Sequence, residues 1–205
     1  MFITLEGPEG CGKTSQMPEL AEYLRSQGCM VFTTREPGGT AIGDQIRQVL
    51  TSLKNTGMNA RAETLLFCAA RAQLVEQELR PRLKNGEIVL CDRYAGSTLA
   101  YQGYGHGNDL SALRSLLQFA TGGLWPDLTL LMDLPPEVGL KRKRSCGEWN
   151  RLDAYELDFH QRVRQGYLEL LKQEPQRFVR VDATETPPMV QLALRQAIMA
   201  RLQQN

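Results

Sequence analysis

Gly7-Pro8-Glu9-Gly10-Cys11-Gly12-Lys13-Thr14, preceded by the apolar run Phe2 to Leu5, is the stretch from which the fold is read. It fits the phosphate-binding pattern G-x-x-x-x-G-K-[ST], and a short apolar run directly before such a loop reads as a buried strand. Gly7, Gly10 and Gly12 lack a Cβ, so the loop can adopt positive φ angles and turn its amides inward onto phosphate oxygens. A helix opening near Lys13 adds unpaired N–H groups and a positive dipole end. The whole loop, from Gly7 and Pro8 through Glu9, Gly10, Cys11 and Gly12 to Lys13 and Thr14, is expected to bind a nucleoside triphosphate. Lys13 would hold the β- and γ-phosphates, and the Thr14 hydroxyl would sit on a magnesium ion bridging them. The competing reading is a chance glycine-rich turn between strand and helix.

Outward from the loop, short apolar runs alternate with longer helical patterns. Phe2 to Leu5, Met30 to Thr33, Ile88 to Cys91, Leu128 to Met132 and Phe178 to Val181 read as strands, nearly continuously apolar as expected when both sheet faces are covered. Helical stretches fall at about 13 to 27, 41 to 53, 61 to 84, 109 to 121, 136 to 145, 155 to 173 and 187 to 203. This alternation predicts an α/β fold: a five-stranded parallel sheet flanked by helices, joined by right-handed crossovers. No repeat, low-complexity tract or Pro/Ser-rich linker interrupts the 205 residues, so a single P-loop domain over 1–205 is expected.

A phosphate loop alone does not separate kinases from GTPases and mechanical ATPases. Ile88-Val89-Leu90-Cys91-Asp92 is an apolar strand ending in a carboxylate, which is how such proteins place an aspartate beside the magnesium shell. Asp92 is the candidate, with helix capping as its bland alternative and Asp133 as a weaker second choice. The guanine-reading string N-K-x-D is absent. The formal net charge of +1 argues against a nucleic-acid binder. Five scattered cysteines and two histidines suggest neither disulfides nor a zinc site, and no apolar stretch is long enough to span a bilayer, so a cytoplasmic location fits best.

The acceptor side needs cations and a flat slot. Arg35 and Arg93 each follow a predicted strand directly, at the carboxyl ends where ligands of open α/β sheets collect. Each can grip phosphate oxygens through paired N–H donors, although Arg35 could equally pair with Glu36 or Asp92. Phe67 and Arg71 are four apart on a predicted helix, and periodicity alone would make Phe67 core and Arg71 a solvated end. The basic run Lys141-Arg142-Lys143-Arg144 and the later Arg151 flank a turn containing Gly147, over about 141–153, and read as a short lid. Its alternative is a solvated basic helix end.

Together GPEGCGKT, TREPGG at Thr34 to Gly39, LLFCAAR at Leu65 to Arg71, DRYAGSTLAYQG at Asp92 to Gly103, and GGLWPDLTLLMDLPPEVGLKR at Gly122 to Arg142 resemble thymidylate kinase. The likeness continues through FHQRVRQGYLEL at Phe159 to Leu170 and VDATETPP at Val181 to Pro188. It implies a nucleoside-monophosphate kinase fold with ATP and dTMP as substrates, Mg2+ as cofactor, and a homodimer packed through long helices such as those over 61–84 and 109–121. It assigns Arg35 and Arg93 to the acceptor phosphate, and Phe67, Arg71, Thr98 and Gln102 to thymine. Tyr101 is placed beneath the sugar and Glu9 on the sugar's 3′-hydroxyl. Because a phosphomonoester is already anionic near neutral pH, no general base is needed; cations and positioning relieve the repulsion instead. Lys13, Arg93 and the lid residues Arg144 and Arg151 are the expected devices. Related lids carry arginine where this chain has Cys146, which puts the bet on the latter two. A kinase for another monophosphate would keep the loop, Asp92 and the lid but change Phe67, Arg71 and Gln102. A nucleotide-dependent switch would bind ATP with no acceptor.

Overall fold

The structure, a computed structural model, describes residues 1–145, 147 and 149–203. Five strands form one parallel sheet: β1 (Phe2–Glu6), β2 (Val31–Arg35), β3 (Ile88–Asp92), β4 (Leu128–Asp133) and β5 (Phe178–Asp182), in the order β2-β3-β1-β4-β5. The helices are α1 (Lys13–Ser26), α2 (Ala41–Thr51), α3 (Ala60–Leu74), α4 (Arg80–Lys84), α5 (Ala95–Thr98), α6 (Leu110–Thr121), α7 (Pro136–Ser145), α8 (Leu157–Gln173) and α9 (Pro187–Leu202).

Side chains that alternate along the strands sort into two cores. Phe2, Val89 and Leu131 meet Leu74 of α3, Leu117 of α6, and Val163 and Tyr167 of α8. Ile3, Leu5, Leu90 and Leu130 meet Leu20 and Leu24 of α1 and Leu194 and Ile198 of α9. Each enclosed leucine contributes about 1.5–3 kcal/mol, so both layers are anchored hydrophobically.

The expected strands all form, but the two at the sheet edges are not continuously apolar. β2 is shifted to Val31–Arg35, and Met30, read as its first residue, is exposed. Parallel pairing from Val31↔Ile88 to Arg35↔Asp92 carries the ladder into the polar Thr33-Thr34-Arg35 end, because an edge strand needs a buried partner more than a buried face. The stretch read as one helix over 61–84 is α3 and α4 joined through a π-helical turn, Val75–Leu79. A second π-helical turn, Leu99–Gly105, continues α5 in a segment to which the sequence assigned no element. No helix among the described residues is long and apolar enough to cross a membrane.

All strands end at one rim, and each ends on a charged residue: Glu6, Arg35, Asp92, Asp133 and Asp182. That rim is where the charge chemistry of the molecule is gathered.

Candidate active site

The loop between β1 and α1 has the backbone its glycines permit. Gly7, Gly10 and Gly12 sit at φ 144°, 69° and 92°. A Cβ on Gly10 would strike the carbonyl oxygen of Gly139 in α7, so the loop lies directly against that helix. No side chain caps the start of α1, which leaves its first amides to an anion. Lys13 Nζ donates to Gly7 O (3.1 Å) and Pro8 O (3.0 Å) and lies 3.1 Å from Cys11 Sγ. Thr14 Oγ1 donates to Asp92 Oδ2 at 2.9 Å, bringing together the two residues selected as metal ligands. A hydroxyl and a carboxylate form a hard oxygen pair suited to magnesium, with the remaining ligands left to phosphate and water.

The loop opens into a cleft of about 990 Å³, whose walls include Arg35, Arg47, Phe67, Tyr101, Arg142 and Lys143. Arg93 also lines it and has φ 69°, a left-handed conformation uncommon for a residue with a side chain. Its Nη2 donates to Glu9 Oε1 at 2.7 Å and its Nη1 to Gly7 O at 3.0 Å. Tyr101 OH donates to the same Glu9 oxygen at 3.0 Å. Burial pushes the Glu9 carboxyl up, but the charges of Arg93 and Lys13 and the Tyr101 hydroxyl outweigh it and hold the pKa at about 2. Glu9 is therefore a fixed anion that orients Arg93.

At the far end, Phe67 is half-buried and faces the cleft. Arg71, expected from periodicity to be solvated, is 1% exposed. Its Nε and Nη2 donate to Glu36 Oε2 at 2.8 and 2.5 Å, and its Nη1 donates to Thr98 Oγ1 at 3.0 Å. A guanidinium this enclosed persists because a carboxylate meets it. Arg71 thus reaches the cleft through Glu36 and Thr98, both of which line it. Arg35 pairs loosely with Asp44 at 3.9 Å rather than with Glu36 or Asp92. Gln102 also lines the cleft, and its Nε2 donates to Glu63 Oε1 at 2.8 Å.

With this geometry in place, the comparisons are specific. The family model described as Thymidylate kinase matches residues 5–193. The chain belongs to the thymidylate kinase family. The thymidylate kinase of Roseiflexus sp. (strain RS-1) is 52% identical over 91% of this chain and 88% of its own length. That of Desulfovibrio desulfuricans (strain ATCC 27774) is 49% identical over 100% of this chain and 98% of its own. The crystal structure of thymidylate kinase from Ehrlichia chaffeensis superposes with a TM-score of 0.81 at 32% identity, covering 97% of this chain and 98% of that one. Membership carries the family's reaction, the ATP-dependent phosphorylation of dTMP to dTDP.

Two of the kinase's expected lid residues stand elsewhere. Arg151 is 3% exposed, donating Nη2 to Glu63 Oε2 (2.6 Å), Nε to Leu50 O (2.7 Å) and Nη1 to Tyr155 OH (2.8 Å). Releasing it would leave the Glu63 carboxylate without this partner. Arg144 is exposed, stacks on Trp149 at 5.0 Å and does not line the cleft. The cations of the basic run that do line it are Arg142, whose Nη1 donates to Ala183 O at 2.9 Å, and Lys143. Helical spacing explains the exchange, since neighbours in α7 point about 100° apart and only part of the run can face inward. Cys146 lies outside the described residues. Arg47 was missed at the sequence level; it lines the cleft and donates Nη1 to Pro37 O at 3.1 Å. Burial first, then Arg35, lowers its pKa. Its signal was a lone arginine on the helix that follows TREPGG.

Proposed function

We propose that the cleft seats ATP and dTMP end to end, with the triphosphate on the Gly7 to Thr14 loop and the acceptor phosphate between Arg35, Arg47 and Arg93. The observation that carries this reading is Arg93, held by Glu9 between loop and slot. Phe67 would stack on thymine, with Thr98, Gln102 and, through Glu36, Arg71 around its polar edge, and Tyr101 beneath the sugar. The Thr14–Asp92 pair would hold Mg2+, which supplies charge neutralisation on the phosphates when bound. Lys13 and Arg93 would draw the two anions together, and Arg142 and Lys143 of the lid over about 141–153 take the role first given to Arg144 and Arg151.

Calorimetric titration of dTMP, with ADP release assayed with and without it, tests the whole reading. No heat with dTMP while ATP still binds would overturn it. For the lid, Arg142→Ala is expected to lower kcat about a hundredfold, the scale of one lost transition-state donor, while Arg144→Ala changes kcat less than about threefold. Equal losses would return Arg144 to the site.

The kinase is proposed to act in the cytoplasm, as a single domain assembled into a homodimer. Leu65 on α3 and Phe119 on α6 are 57% and 86% exposed, an arrangement that a partner helix pair would cover. Sedimentation of Phe119→Glu should show monomer where the parent chain shows dimer; an unchanged profile would move the interface elsewhere.

A further inference from the structure

Glu6 closes β1 immediately before the phosphate loop, and its side chain is completely enclosed. Four donors converge on it. Tyr94 N and Ser97 N reach Oε1 at 2.9 and 3.1 Å, and Ser97 Oγ and Tyr167 OH reach Oε2 at 2.6 and 3.0 Å. The two amides clamp the turn that leaves Arg93, whose left-handed backbone costs about 1–3 kcal/mol and persists only if its surroundings enforce it. The two hydroxyls do more. Lying 2.8 Å from each other as well, they turn lone pairs toward Arg93 Nη1, which lies 3.2 Å from Ser97 Oγ and 3.3 Å from Tyr167 OH. The chain of contacts therefore runs from carboxylate through two hydroxyls to guanidinium, with no side-chain atom of Glu6 needed in the cleft.

We propose that Glu6 is a positioning residue for phosphoryl acceptance, setting the attitude of the Arg93 guanidinium through Ser97 and Tyr167. This rests on the reading of Arg93 as an acceptor-phosphate ligand. The chemistry gives a sharp contrast with Glu6→Gln. The substituted amide nitrogen donates where a carboxylate oxygen accepted, so of the two hydroxyl protons it displaces one can settle between Ser97 and Tyr167 and the other is turned toward the Arg93 N–H. The shape is conserved while the polarity of the link is reversed.

The test compares dTMP with thymidine, which lacks the phosphate, by calorimetry on Glu6→Gln, Tyr167→Phe and Arg93→Ala. Glu6→Gln should weaken dTMP about tenfold, leave thymidine within about twofold, and leave the KM for ATP within about twofold. Tyr167→Phe, which deletes one of the two hydroxyl links and leaves Glu6 its other three donors, should weaken dTMP about threefold with the same indifference to thymidine. In an Arg93→Ala background, Glu6→Gln should add no further loss of dTMP affinity. If Glu6→Gln and Tyr167→Phe leave dTMP affinity intact, or weaken dTMP and thymidine equally, the positioning role is overturned. If Arg93→Ala itself binds dTMP like the parent chain, the acceptor reading falls instead, a distinct result. Should Glu6→Gln fail to fold, Tyr167→Phe and its Arg93→Ala combination carry the same comparison.

Discussion

Glu9 is a carboxylate in a place that anions must approach, and its surroundings explain why it is tolerated. It binds Arg93 and Tyr101 rather than facing the triphosphate unpaired. Glu9→Ala should release Nη2 of the Arg93 guanidinium while Nη1 stays held, raising the KM for dTMP about tenfold and that for ATP less than about threefold. Steady-state kinetics with each substrate varied will show it, and equal effects would detach Glu9 from the acceptor side. The residues legible in the chain alone were those whose role follows from order along it: the loop glycines, Lys13, Thr14, and Asp92 at a strand end. Arg71 was not, because its burial depends on Glu36, which is 35 positions away and invisible to helical periodicity. The pairing of Arg151 was hidden for the same reason, since the carboxylate it meets lies on α3.

Among the elements, α7 and the phosphate loop touch without side chains between them. A Cβ on Gly139 would lie 2.0 Å from Glu9 O, a contact no relaxation of a side chain can relieve. Gly139→Ala should therefore push the loop and α7 apart, raising the KM for ATP about tenfold while lowering the melting temperature by only a few degrees. A variant with unchanged ATP kinetics would show that the loop tolerates the shift. The elements were read from the chain wherever short apolar runs alternated with longer helical patterns. The π-helical turn Leu99–Gly105 was not, and the cause is physical. Glycine usually interrupts a helix, yet a Cβ on Gly103 would collide with Leu110 and one on Gly105 with Phe159, so both make room for close packing against neighbouring helices. A glycine that makes room and a glycine that makes a turn look alike in a sequence.

For the molecule as a whole, Glu63 is the junction that binds distant parts. Gln102, His106, Arg151 and Tyr155 all bond its two oxygens. Burial raises its pKa, but the bonds from His106 and Gln102 and the Arg151 charge outweigh that and bring it from 4.5 to about 2. A carboxyl held below its unfolded value stabilises the fold above the unfolded pKa and loses that contribution as pH falls through the folded one. The window is thus 4.5 down to about 2, over which wild type should shed about 3 kcal/mol that Glu63→Gln does not. Urea midpoints taken across that range decide it; parallel curves would refute the assignment. The overall topology was legible because parallel sheets hide apolar strands between helices, whereas this junction was not, because nothing local marks a glutamate as communal. Its position also gives acid a preferred point of entry: deuterium at pH about 3 should label the amides of Leu152 to Tyr155 well before those of Ile3 and Thr4, so that the knot behind the substrate slot slackens while the central ladder still holds.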